Sequence, residues 1–323
     1  MIFRTNLVTG FILFFTLVQG QELFPLAESA NTVPKGVIGL RGFAEANYEI
    51  KTVRAWTGFK LMYGLTSNFS IALTGSISNH HAKKLPPDLI GHRHTGSTGT
   101  YYFTNFPQRG VTYPFSWNGF HALAKFRIFN LDGKNRHLRC AIIGEWSNVK
   151  QAHDEAEPNL MDDNSGVGAG IVLSVLEKRF ALSLTTGGIF PTAYSESEPD
   201  PVNGQEIQRK LIYGNAIYYH LSFGYLLQGN RMNTYEETNT NLYVEFLGKQ
   251  YQSAQFLYNN RELENKNPAF NKGHYLEIYP GIQRIFNSNL RVDVSLGFSL
   301  LGKSYVHFYP LYRIGIQKYF FLK

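Results

Sequence analysis

Four of the chain's ten histidines fall within "NHHAKKLPPDLIGHRHTG", residues 79–96. His80, His81, His92 and His94 could approach one another if the segment folds back, and imidazole suits zinc, copper or nickel. Against that, Asp88 is the one carboxylate in the stretch, and Lys83, Lys84 and Arg93 would repel a cation. The spacing matches no standard zinc site. These residues read as a candidate surface metal site within a solvated basic loop suited to anionic glycolipid. A second constellation is His220-x-Ser222 in "YYHLSFGY". A serine nucleophile needs a base within reach and a partner that orients the base, and a His and a Ser two apart occur easily by chance in a wet strand.

Three other features carry weaker chemistry. "GVGAGI" at 166–171 looks like a nucleotide-binding glycine loop but lacks the strand–turn–helix context such a loop requires. Its glycines are better explained as relief of crowding. The acidic run Asp154, Glu155, Glu157, Asp162 and Asp163 lacks the spaced ligands and glycine of a calcium loop and reads as solvated surface. Cys140 is the single cysteine, which excludes an intramolecular disulfide and a Cys-based zinc cluster. No cofactor is implied and no enzyme is expected.

The elements that must position these residues are strands. Aromatic residues make up 15% of the 323 residues and charged residues only 17%, which suits β-structure at a membrane better than a soluble helical enzyme. The net charge of +7 is spread along the chain, with no basic patch for nucleic acid. Residues 1–20, "MIFRTNLVTGFILFFTLVQG", read as an export signal peptide: Arg4, then a short apolar run, then Val18 and Gly20 at small-residue positions. Residues 21–323 read as one outer-membrane barrel domain.

Period-two alternation dominates that domain. In "NLRVDVSLGFSLLG", Leu290, Val292, Val294, Leu296, Phe298 and Leu300 oppose Arg291, Asp293, Ser295, Gly297 and Ser299. The same pattern marks "FHALAKFRIFN", "IYYHLSFGYLL" and "NLYVEFLGK". Strands are expected at 36–48, 53–65, 70–79, 119–130, 137–149, 166–177, 180–194, 210–227, 239–252, 274–286, 289–302 and 306–319. Ten or more residues is the length needed to cross a bilayer at a tilt. Short turns at 66–68, 131–136, 177–179 and 287–289 alternate with long polar stretches at 80–118, 150–165, 195–209 and 258–273. The expectation is an all-β, transmembrane, antiparallel up-and-down barrel of about twelve strands, in the outer membrane of a Gram-negative bacterium. Asn118-Gly119, a hairpin signal, leaves fourteen strands open.

"LFPLAESANTVPKGVIGLRG", "FRIFN", "NTNLYVEFLGK" and "YPGIQRIFNSNLRVDVSLGF" resemble a poorly characterised family of porin-like and transporter-like outer-membrane barrels from the Bacteroidota. The resemblance covers most of the mature chain and implies an outer-membrane location without an assigned substrate. The barrel reading carries lipid, glycolipid, the barrel-insertion machinery and small solutes as expected partners. The chain's ending, "YFFLK", departs from a terminal aromatic residue, with Phe321 two residues short.

Alternation places fourteen charged side chains inside: Arg41, Glu45, Arg54, Lys60, Lys125, Arg127, Arg139, Glu145, Glu245, Lys249, Glu277, Arg291, Asp293 and Arg313. Such charges must pair or meet water. Their cationic excess suggests a porin-like lumen for passive or facilitated passage of small solutes with mild anion preference. The alternative is a plugged barrel whose ion pairs stiffen it for surface binding, adhesion or envelope structure. An outer-membrane lipid hydrolase using His220 and Ser222 ranks third, because alternation turns both side chains away from lipid.

Overall fold

The computed structural model describes residues 23–49, 52–80, 92–96, 99–103, 113–133, 136–153, 155–199, 204–228, 238–263 and 268–321. The signal-peptide expectation for 1–20 lies outside these residues. No described helix is long and apolar enough to cross a membrane. The described residues form eighteen strands. They are β1 (Val37–Glu49), β2 (Thr52–Gly64), β3 (Phe69–Ser78), β4 (His92–Gly96), β5 (Gly99–Phe103), β6 (Ser116–Asp132), β7 (Arg136–Val149), β8 (Gly166–Glu177) and β9 (Phe180–Pro191). They continue with β10 (Tyr194–Pro199), β11 (Glu206–Ile212), β12 (Ala216–Leu226), β13 (Asn239–Tyr251), β14 (Gln255–Tyr258), β15 (Arg261–Leu263), β16 (Gly273–Phe286), β17 (Leu290–Leu301) and β18 (Leu311–Phe321).

Twelve of them close a barrel in the order β1-β18-β17-β16-β13-β12-β9-β8-β7-β6-β3-β2. The seam between first and last strands runs antiparallel from Val37↔Phe321 to Ala46↔Tyr312. Alternation then sorts the side chains. Val294, Leu296, Phe298, Ile314 and Ile316 are exposed on the outer wall, while Arg291, Asp293, Ser295 and Gln317 are buried inside. A continuous exposed apolar wall on strands of 10 to 17 residues is the architecture of a transmembrane barrel of the outer-membrane type.

The inner wall packs large against small. The Tyr243 ring lies over Gly281 and the Tyr279 ring over Gly297, where an added Cβ would stand 2.3 Å from a ring atom. Gly170 of "GVGAGI" and its cross-strand partner Gly187 lie under Tyr218 in the same way, so that glycine relieves crowding.

The fourteen-strand variant is not formed. Asn118-Gly119 makes no turn: β6 runs straight through it, with a bulge where the β3 register shifts between Ser76 and Ile77. At Gly119 the Asn148 carbonyl approaches to 2.0 Å of where a Cβ would sit, so the glycine serves the bulge. The expected strand 210–227 is two elements, broken at 213–215, and 180–194 ends at Pro191. The last strand begins at Leu311 rather than 306, because 302–310 turns inward. The stretches 195–209 and 258–273 are not simple loops. They contribute to a four-stranded sheet, β10-β11-β14-β15, beyond the barrel wall. It is anchored by Leu211, Tyr213, Phe256, Phe270 and Ala152.

Val294 lies near the middle of β17 on the outer wall, so Val294→Arg is expected to cost ~2–4 kcal/mol, measured by reversible unfolding from lipid bilayers. A change within about 0.5 kcal/mol, the size of an ordinary surface substitution, would mean that this face meets water.

Candidate functional site

The lumen is occupied from both ends. At the short-turn end, residues 23–33 arch through it before β1 begins. Leu23 and Phe24 pack against Ala181, Leu226, Tyr243 and Ile285, which puts one foot of the arch beside β9, β12, β13 and β16. Asn241 donates to the Leu23 carbonyl at 2.8 Å. The Glu245 carboxylate accepts from the backbone N–H groups of Leu26 and Ala27, the latter at 2.8 Å. At the crown, Glu28 pairs with Lys60 and Lys125, each at 2.6 Å. Lys125 also donates to the Ser29 carbonyl, and Ala30 N–H donates to Ser174 at 2.9 Å. The far foot reaches the β2–β3 turn, where the Thr32 hydroxyl donates to the Ser67 carbonyl at 2.8 Å.

From the long-loop end, residues 155–165 fold inward. The acids expected to be solvated surface are buried here: Glu155, Glu157, Asp162 and Asp163 are each no more than 4% exposed, while Asp154 lies outside the described residues. Charge explains the correction, because the loop brings carboxylates to a wall rich in cations and hydroxyls. Glu157 accepts from Lys249 at 3.2 Å, Tyr275 at 2.7 Å, Ser304 at 2.7 Å and the Tyr305 N–H at 3.2 Å. It thereby ties the loop to segment 302–310. In that segment, His307 meets Glu277 at 2.7 Å and Glu45 at 3.8 Å, and the Tyr309 hydroxyl donates to Glu277.

Between the two inserted segments lies a cavity of about 280 Å³. Of the expected lumenal charges, Arg41, Glu45, Arg54, Lys60, Glu145, Lys249, Glu277, Asp293 and Arg313 line it. Arg41 pairs with Asp293 at 2.9 Å, Arg313 pairs with Glu45, and His121 meets Glu145 at 3.0 Å. The other five stand elsewhere. Lys125 and Glu245 hold the arch. Arg139 binds Asp132 at 3.0 Å and Asn31 at the short-turn end. Arg291 is buried over the Tyr319 ring, 5.1 Å from its centroid. Arg127 keeps the inward parity of Lys125, just before the register shift between Arg127 and Phe129, and donates to Ser67 and Asn68 of the β2–β3 turn. Ser222 faces inward beside Glu245, to which its hydroxyl donates at 3.4 Å, and the His220 ring lies 5.2 Å from that of Tyr218.

Among the histidines first singled out, His80 enters the lumen, 3.4 Å from Asp163 and 3.7 Å from Asp162. His81 is outside the described residues, and His92 and His94 lie on the β4–β5 hairpin. Glu28 and His307 were not singled out, because irregular segments carry no periodicity that shows where they fold; His121 lies on the inner face of β6 but was not among the charged residues chosen by alternation.

Burial alone would raise the Glu28 carboxyl, but Lys125 and Lys60 beside it hold it well below the usual carboxylate range. Burial would lower the His307 imidazole, but Glu277 and then Glu45 raise it from 6.5 to about 9. Burial, Asp163 and Glu45 together push the Asp162 carboxyl well above its ordinary value.

No protein-family model and no curated protein sequence matches the chain. Among solved structures, it is similar to the NanC porin at 10% identity and a TM-score of 0.40, covering 87% of this chain and 98% of that one. It is similar to OmpT, an outer membrane protein of Vibrio cholerae, at 8% identity and a TM-score of 0.30, covering 88% and 99%. OmpF of Salmonella typhi, in complex with daunomycin, is similar at 10% identity and a TM-score of 0.22, covering 88% and 97%. These values are too low to carry function across. The chain's own geometry must do so.

The raised His307 value sets a pH window. Its contacts contribute fully below pH 6.5 and are lost as pH rises through about 9. The expected outcome is an NMR titration midpoint for the His307 ring near 9, shifting down toward 6.5 in Glu277→Gln. An unshifted midpoint in that variant would show that Glu277 does not hold the charge.

Proposed function

We propose that the protein is a porin-like outer-membrane barrel whose passage for small polar solutes is restricted by its two inserted segments. The observation carrying this reading is the charge-lined cavity of about 280 Å³ enclosed between the arch at 23–33 and the inward loop at 155–165. Ion-paired walls around a small cavity favour polar solutes over apolar ones, and the inserted segments set how large a solute can pass. Under this proposal the short turns face the periplasm, residues 21–323 act as one domain after an export signal, and lipid, glycolipid and the insertion machinery are its partners. The resemblance to Bacteroidota barrels belongs to the same proposal.

The mild anion preference expected from the strands loses much of its basis. Glu28, Asp132, Glu157 and Asp162 pair with or stand beside the lumenal cations and histidines, offsetting the excess. Selection by size, with weak charge selectivity, fits this balance better. One observation favours a second reading, a plugged barrel for surface binding: the four-stranded sheet β10-β11-β14-β15 projects beyond the barrel wall. A lipid hydrolase gains no support, since Ser222 is engaged with Glu245 inside the lumen.

Planar-bilayer conductance of the refolded full chain tests the proposal. Wild type should conduct weakly. Glu28→Ala, which removes the carboxylate shared by Lys60 and Lys125, should raise conductance several-fold and shift it toward anions, where wild type shows little ion selectivity. Equal silence from both folded proteins would favour the surface-binding reading.

A further inference from the structure

Passage leaves one cluster unused. His80 follows β3, His153 follows β7, and Asp162 and Asp163 lie in the tight turn of the inward loop. His80 Nε2 stands 3.7 Å from Asp162 Oδ2 and 3.4 Å from Asp163 Oδ1. His153 Nδ1 stands 3.8 Å from the same Asp163 oxygen. One ligand atom each from His80, Asp162 and Asp163 lie within 4.8 Å of one another. All four side chains are at least nine-tenths buried.

The His80–Asp163 contact is a long hydrogen bond, and the other two separations are too long to be one. Bonds of about 2.0–2.2 Å to a central ion place neighbouring donors roughly 3.3–3.6 Å apart. The His80–Asp163 separation falls inside that range, and Asp162 and His153 would draw in to complete the set. A supporting hydrogen bond orients one of the carboxylates. Asn159 Nδ2 donates to Asp162 Oδ1 at 2.7 Å, leaving Oδ2 turned toward His80. Asn159 N–H in turn donates to the Asn164 side-chain oxygen at 2.8 Å, which braces the turn.

We propose that His80, His153, Asp162 and Asp163 bind a divalent transition ion of the zinc class. Two imidazoles with two carboxylates suit such an ion, whereas calcium and magnesium take oxygen ligands in larger shells. The ion neutralises two adjacent buried carboxylates and clamps the inward loop to the ends of β3 and β7. Because His80 and Asp162 also line the cavity, occupancy holds its long-loop side closed. The site shares only His80 with the surface cluster that the sequence suggested, and it stands whether or not the barrel conducts.

The test is isothermal titration of zinc into the folded full chain, stripped with chelator and held in detergent. Wild type should take up one zinc per chain. His80→Ala and His153→Ala should each weaken binding at least tenfold, with unheated gel mobility confirming that both still fold. His92→Ala/His94→Ala should bind as wild type does. Cobalt gives a second readout on unmutated protein, through the visible absorption of a tetrahedral complex. The proposal is overturned by absence of zinc uptake in wild type, by full uptake in both His80→Ala and His153→Ala, by loss only in the His92/His94 variant, or by preference for calcium over zinc.

Discussion

Hydrocarbon leaves no room for an unpaired peptide group, so a sheet in a membrane must close on itself. Here closure rests on one seam, β1 against β18, and that pairing fixes which side of every strand faces lipid. Once inside and outside are set, every charge on an inward position has to find a counter-charge or water. The ion pairs across the lumen, from Arg41–Asp293 to Arg313–Glu45, follow from that requirement.

The wall alone does not satisfy it. Its strands carry more cations than acids, and the balance comes from segments outside the ring. Glu28 in the arch takes Lys60 and Lys125, and Glu157 in the inward loop takes Lys249. Wall and insertions are thus electrostatic complements. Removing one partner of such a buried pair costs about 3–5 kcal/mol, far more than an exposed pair contributes. That difference gives the inserted segments defined positions, and the cavity between them a defined shape.

The ring was legible in the sequence because it is periodic. The Leu290–Leu300 alternation assigns both faces of β17 correctly, and the turn at 287–289 falls where expected. The interior was legible only in part. Arg41, Glu45 and Asp293 could be placed by parity, but past Arg127 a register shift leaves Ile128 and Phe129 both exposed, which changes the count without any marker in the residues. Acids at 155–163 look the same whether a loop bends outward or inward. What decides is a partner distant in sequence, such as Tyr275 or Ser304 for Glu157. Asn118-Gly119 shows the same limit on a smaller scale, since a bulge and a hairpin use the same dipeptide.

The arch at 23–33 has both feet at the same rim, one beside β9–β16 and the other at the β2–β3 turn. It therefore spans the ring like a tie rod. A twelve-stranded cylinder in a fluctuating bilayer can flatten into an ellipse, and a strap bonded to opposite walls resists that mode directly. The roundness of this barrel, and with it the alignment of every ion pair across its diameter, depends on a stretch of chain that belongs to none of its staves.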